Sequence, residues 1–330
     1  MSQPIPIWPG AQVPLGDRSV FVRSAPGRDG SGAADAGTGP DVDAEVDAEV
    51  DADVAAGGET GVYVHGLAGS ATNWTDLMGH LSDVLVGDAI DLPGFGYSPP
   101  PPDRDYSVDA HARTVVRLIE RRRRGPVHLF GNSLGGAIVT RVAARRPDLV
   151  KTLTLISPAL PDLRPRVGPT RIAVASVPGV GPWALRRLQA VPAERRVMAS
   201  IEMIFANPRL LHPDRVQELI EEIRRRDALD YAAPAVLGAA RGIVSEFLRR
   251  GPRSLWRDAA RVEAPTLLLY GGHDRIVDAR MAGRAGRIFR NARVVVLPDV
   301  GHVAQMERPD LVAREFRALL DDTRRAAVMA

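Results

Sequence analysis

A chain of 330 residues, 45% hydrophobic and 25% charged, is long enough to bury a sizeable core and has the balance of an ordinary soluble globular protein. Its 43 basic and 40 acidic residues leave a net charge of only +3, so the isoelectric point near 9.6 reflects the high pKa of arginine rather than a surface built for nucleic acid. There are no cysteines, which excludes disulfides, thiolate catalysis and cysteine metal sites.

Met1-Ser2-Gln3-Pro4-Ile5-Pro6 has neither the basic start nor the apolar stretch of a signal peptide. No run approaches the roughly 18 apolar residues that a membrane span needs. A cytoplasmic protein with a small-molecule substrate, no nucleic acid and no membrane partner is expected. After a strand at Ser19 to Ser24 the chain changes character over residues 27–58. Pro26 to Pro40 is rich in Gly, Ala, Ser and Asp; then Asp41, Asp43, Glu45, Asp47, Glu49, Asp51 and Asp53 alternate with Val and Ala. Like charges at every second position would line one face of a strand and repel, so a disordered acidic loop is expected. It resembles a calcium loop only superficially, because Val46 stands where the sharp turn needs glycine.

Further strands are expected near 62–65, 84–90, 127–131, 151–156, 266–270 and 293–297, and helices near 73–82, 107–124, 134–146, 279–290 and 309–321. This alternation implies a mostly parallel sheet with helices on both faces. The near-continuous apolar content of the strands implies burial on both sides. Ser107 is a natural N-cap for the second helix, with Asp109 in its first turn. That helix ends in Arg121-Arg122-Arg123-Arg124 before Gly125-Pro126, which reads as a solvated terminus whose cations complement the dipole. No aromatic residues interleave with it, as they would in a nucleic-acid patch. Between Ser157 and Glu263 there are no β-like runs, only helical stretches such as Pro213 to Arg226 and Ala232 to Arg249, broken by prolines.

Gly131-Asn132-Ser133-Leu134-Gly135 follows the apolar run Val127 to Phe130 and opens a helix-like stretch. A serine on so sharp a strand-to-helix turn needs small neighbours and presents its hydroxyl above the sheet. With 31 glycines in 330 residues the string carries little weight alone. Its context carries the argument. The strand at 266–270 ends in Gly271-Gly272-His273-Asp274, and the strand at 293–297 ends in Pro298-Asp299-Val300-Gly301-His302. A serine hydroxyl is a poor nucleophile without a base in reach. Of the histidines at 65, 80, 111, 128, 212, 273 and 302, His302 alone lies past the last strand on a Gly-containing loop; His273 is the runner-up. Asp274 is the first candidate for the acid that orients the base, with Asp278 and Asp299 as alternatives.

The strings His65-Gly66, Asp91-Leu92-Pro93-Gly94-Phe95-Gly96-Tyr97-Ser98, Gly131 to Gly136, Gly271 to Asp274 and Gly301 to Asp310 occur in an order that resembles the α/β-hydrolase family over about residues 61–320. The resemblance implies a doubly wound, mostly parallel α/β sheet formed by residues 1–160 and 263–330, with a helical cap at 161–262 inserted after the sixth strand. It implies a Ser133, Asp274 and His302 triad working without a cofactor. It also implies an oxyanion hole made by the backbone N–H of Leu134 and of Leu67, with Ala68 second. His65 then belongs to a structural turn. Large apolar residues of the cap, Trp183, Met203 and Phe205 among them, become candidates for substrate contact.

The Gly131 to Gly136 elbow, the sharp turn that carries Ser133, and the Gly301 to Pro309 string look most like the branch that hydrolyses carbon–carbon bonds of ring-cleavage products. That branch commonly carries Gly-Pro-Gly after its His-Gly turn, where this chain has Leu67-Ala68-Gly69-Ser70, and an aromatic residue where it has Val303. The departures favour a small carboxylic ester as substrate. Carbon–carbon bond hydrolysis, acyl transfer and slow-turnover ligand binding remain as alternatives.

Overall fold

The computed structural model describes residues 4–25, 58–162, 177 and 179–329; the acidic segment lies outside them apart from residue 58. Among the described residues one sheet contains β1 (Gly10–Pro14), β2 (Ser19–Ala25), β3 (Glu59–Val64), β4 (Leu85–Ile90), β5 (Val127–Asn132), β6 (Val150–Ile156), β7 (Thr266–Gly271) and β8 (Ala292–Leu297). Their order is β1-β2-β4-β3-β5-β6-β7-β8. The β1–β2 and β2–β4 pairs are antiparallel, and the rest of the sheet is parallel. β1 has no counterpart in the sequence reading, because five mostly exposed residues ending in proline carry no periodic signal.

Successive side chains of the central strands go to opposite faces. Val62, Val64, Leu129, Leu153, Leu155, Leu268 and Tyr270 join one buried cluster, and Tyr63, Phe130, Ile156, Leu267 and Leu269 join another. The first is covered by α2 (Val108–Arg122), α3 (Leu134–Arg145) and α9 (Met281–Ile288); the second by α1 (Thr75–Leu81), α10 (Ala304–Glu307) and α11 (Pro309–Met329). Full burial of one such Leu or Phe contributes about 1.5–3 kcal/mol, so two-faced burial is the main force holding the sheet. β8 departs from the expected burial on both sides. It is an edge strand, and Val294 and Val296 stay 36% and 45% exposed.

Between β6 and β7 the chain forms α4 (Val180–Gln189), α5 (Ala193–Ile204), α6 (Pro213–Asp227), α7 (Ala232–Leu248) and α8 (Leu255–Ala259). Ala235, Ala239, Ile243, Leu255 and Ala259 merge with the first cluster, whereas Ala193, Val197, Ile201, Phe205, Leu211 and Ile220 form a smaller one with Val303. No helix among the described residues is long and apolar enough to cross a membrane.

Ser107 caps α2 as expected, its hydroxyl accepting from the Ala110 N–H at 3.2 Å. The far end of α2 corrects the reading of a solvated arginine run. Arg122 and Arg124 turn inward to Asp88 of β4, at 3.2 and 3.4 Å, and their side chains are only 10% and 3% exposed. A carboxylate that buried needs counter-charge. Arg123, in the left-handed conformation at φ 51°, lets the chain turn toward it.

Candidate active site

β5 ends at Asn132, α3 begins at Leu134, and Ser133 between them has φ 54° and ψ −116°, a conformation that side chains rarely adopt. Surrounding backbone holds it there. The Ser133 N–H donates to the Ile156 carbonyl at 3.1 Å, and the Ser133 carbonyl accepts from Ala137 and Ala159 at 3.2 and 2.9 Å. Gly135 is required by proximity, since a Cβ there would stand 2.1 Å from the Val64 carbonyl oxygen. Ser133 is half-buried, and among the described residues its hydroxyl makes no hydrogen bond.

The loops after β7 and β8 are joined by backbone bonds from Gly272 to Leu297 at 2.8 Å and from His273 to Val300 at 3.0 Å. Across this junction His302 Nδ1 lies 2.8 Å from Asp274 Oδ2, with both residues 5% exposed. The other carboxylate oxygen of Asp274 accepts from the N–H groups of Ile276 and Val277 at 2.7 and 2.9 Å. Burial opposes ionisation of Asp274, but the electrostatic attraction of the His302 ring and these hydrogen bonds hold its carboxyl below the ordinary range. An ionised Asp274 sets the histidine proton on Nδ1 and leaves Nε2 free to accept.

The competing candidates are otherwise engaged. His273 and Asp299 are exposed. Asp278 accepts from the Arg280 N–H at 3.0 Å and pairs with the Arg280 guanidinium at 2.7 Å. His65 is fully buried in the turn after β3, with Nδ1 on the Gly66 carbonyl at 2.7 Å and Nε2 on the Leu92 N–H at 3.0 Å. Burial pushes its pKa down to about 4, so it is a neutral structural group.

Two residues at this site carried no signal of their own in the sequence. The Asn132 amide donates to the Ile156 and His302 carbonyls, each at 3.0 Å, tying the serine bend to the histidine loop. Glu307 accepts from the N–H of Gly301 and of Asn207, each at 2.7 Å, which joins the same loop to the end of α5. Both stand inside the matched strings, but nothing in the strings names partners so distant in sequence.

The turn after β3 lies against the serine. A Cβ on Gly66 would stand 3.2 Å from Ser133 Cβ. The next N–H in the chain belongs to Leu67; Leu134, directly after the serine, opens α3, where N–H groups have no partner inside the helix. The turn is closed by the Gly69 N–H on the Gly66 carbonyl at 3.1 Å, with Ala68 at φ 59°.

The helical insertion treats its three large candidates differently. Trp183 on α4 is 56% exposed, with the Arg187 guanidinium over its ring. Phe205 is 1% exposed and is a core side chain packed with Val303 and Ile201, so the structure gives it no open face toward a pocket. Met203 is half-buried on α5. Beside it, the Ile204 carbonyl accepts from the His302 N–H at 2.7 Å, so this end of α5 reaches the histidine loop.

Residues 62–309 match the family described as alpha/beta hydrolase fold. The dihydrolipoyllysine-residue acetyltransferase component of the acetoin cleaving system of Cupriavidus necator is 27% identical over 80% of this chain, which spans 63% of that relative's length. Lipase 3 of a Moraxella species is 25% identical over 80% of this chain and 78% of its own. Among solved structures, the 2-hydroxy-6-oxo-6-phenylhexa-2,4-dienoate hydrolase of a Rhodococcus species superposes with a TM-score of 0.69 at 18% identity, covering 94% of this chain and 98% of that one. With the family match running from β3 into the first residue of α11, the chain belongs to the α/β-hydrolase family.

Proposed function

We propose that the chain is a serine hydrolase that cleaves a small carboxylic ester through an acyl-enzyme at Ser133. The observation that carries this reading is the buried Asp274–His302 pair on the loops beside the Ser133 bend. In the proposed cycle Ser133 Oγ attacks the ester carbonyl carbon while His302 Nε2 takes its proton. Asp274 stabilises the imidazolium and stays ionised. The negative oxygen of the tetrahedral intermediate is met by the N–H groups of Leu67 and Leu134, at the positive end of the α3 dipole. Collapse breaks the C–O bond to the alcohol, which leaves with the proton from His302. Water then gives a proton to His302 as it attacks the acyl carbon; the acid departs, and the proton returns to Ser133. The missing Ser133 hydrogen bond is no obstacle, since such bonds tighten when substrate binds.

A lipase among the relatives supports an ester substrate. Residues 161–262 act in this reading as the cap that sizes the acyl pocket. Met203 and the end of α5 are its best candidates for substrate contact, ahead of exposed Trp183 and core Phe205. Fluorophosphonate treatment should give a single adduct by intact mass, on Ser133, and Ser133→Ala should lose both the adduct and about 10⁴-fold or more of the ester hydrolysis. Labelling that survives in Ser133→Ala would sink the assignment. Acyl transfer, which the name of the acetyltransferase relative raises, uses the same acyl-enzyme; ester products formed with added alcohol or thiol acceptors would reveal it.

A further inference from the structure

One face of α6 carries Arg215, Glu222 and Arg226, spaced seven and then four residues apart. All three reach the segment that follows Gly66. Arg226 Nη1 donates to the Ala68 carbonyl at 3.0 Å. Glu222 accepts from the hydroxyls of Ser70 and Thr72 at 2.8 and 3.3 Å. Arg215 pairs with Asp76 at 2.7 Å. The helix's apolar side chains Val216, Leu219, Ile220 and Ile223 belong instead to the small cluster around Phe205.

The segment held in this way contains one strained residue. Ala68 sits third in the Gly66–Gly69 turn with φ 59°, a region costly for any residue with a Cβ. Turns of this size have an alternative in which the third residue takes a negative φ and the central peptide is turned over. Here that flip would reverse the Ala68 N–H, the second candidate donor, together with the Leu67 carbonyl, while the Leu67 N–H stays in its own peptide. A carbonyl acceptor on Leu67 would then stand beside that N–H, opposing the negative charge that an oxyanion site must meet. A guanidinium on the Ala68 carbonyl at one end and a carboxylate on Ser70 and Thr72 at the other oppose the flip, and charged partners make such bonds strong.

We propose that Arg226 and Glu222 are positioning residues for the oxyanion loop, so that the donor beside Ser133 is correctly presented only while α6 is docked on the core. The proposal rests on the reading of this loop as half of an oxyanion hole. It makes the helical insertion part of the rate-determining geometry as well as a wall of the pocket.

The test compares wild type with Arg226→Met, Arg226→Lys and Glu222→Gln, using a short-chain ester and a trifluoromethyl ketone whose serine adduct carries the oxyanion. Active sites are titrated with fluorophosphonate, so that kcat refers to folded enzyme alone. Arg226→Met should lower kcat about 10- to 100-fold with KM within threefold, as expected for a misplaced donor. The ketone's inhibition constant should rise in proportion. Arg226→Lys, still able to donate to Ala68, should recover part of the loss. Glu222→Gln, which keeps the shape of the seam, should show a smaller loss of the same kind, and it carries the test if Arg226→Met does not fold. An unchanged kcat per titrated site and unchanged ketone affinity would overturn the proposal, since a merely structural role moves only the titrated fraction and the melting temperature. A wild-type enzyme that fluorophosphonate does not label at Ser133 would instead bring down the serine-hydrolase reading, and this inference with it.

Discussion

α7 and α8 enter the main core, while α5 and α6 stand on it. Ala235, Ala239, Ile243, Leu255 and Ala259 are buried in the cluster that contains the elbow helix. At their centre Arg141 of α3, with a side chain fully out of solvent, meets Glu246 through two bonds of 2.7 and 2.9 Å and Asp258 at 2.8 Å. α5 and α6 instead close over their own small cluster, and α6 reaches the core loop through charged groups that are half-buried at most of their positions. The same insertion thus has a dry footing and a wet one. Buried ions in a dry setting are costly to unpair, whereas partly solvated bonds can be exchanged for water. α7 and α8 are thus built into the core, whereas α6 is bonded to the loop after β3 by groups that water can reach.

The hardest blow to that contrast is Arg141→Met. It takes the buried cation from Glu246 and Asp258, leaving them only the more exposed Arg249 at 3.0 Å and Arg261 at 4.0 Å, and denaturant unfolding should show a loss of about 3–5 kcal/mol. A loss near 1 kcal/mol would mean that water reaches this footing too. Restoring much of the stability by also replacing both acids with apolar residues would confirm that unpaired charge, not lost packing, was the injury.

Acid probes the buried core in a second way. His111 on α2, packed beside Tyr106 and Phe95, and His65 are both fully buried, and burial pushes their pKa values down to about 3 and about 4. In the unfolded chain each titrates near 6.5, so between that value and the folded one the unfolded state binds more protons. Their contribution is therefore whole above pH 6.5 and is lost as pH falls toward 4 for His65 and 3 for His111. The slope should be about 1.4 kcal/mol per pH unit for each. Unfolding free energies measured from pH 7 to 4 should show this decline, and His111→Phe should flatten it. A profile already flat in wild type would show that both histidines take up protons without unfolding.

The smallest effect is expected on the exposed face of α4. Trp183→Ala removes a side chain already 56% exposed, so stability should change by no more than about 0.5 kcal/mol. A larger loss in the melting curve would mean that α4 is packed more firmly than its exposure indicates.

The candidate site was legible where chemistry is local. Ser133 between close-packed glycines, and Asp274 and His302 at the ends of apolar runs, stand out because turn geometry and strand patterning are imposed by neighbours in the chain. The parallel sheet followed from the same alternation. Arg122 and Arg124 were read only as the charged end of a helix, because nothing along the chain points to Asp88 on another strand. Phe205 looked like a pocket residue because size and apolarity do not say which way a side chain faces.

What the sequence determined by itself is the set of periodicities, turns and caps that make this an alternating α/β chain with a serine on its sharpest bend. Tertiary structure alone decided the partners: Asn132 with His302, Glu307 with Asn207, Arg226 with Ala68, Arg141 with Glu246. Each bond joins groups at least a hundred residues apart. A polar side chain in a sequence declares only that it must be satisfied when buried. Which group satisfies it depends on where the sheet order and the helical insertion bring the backbone, and that is a property of the whole fold.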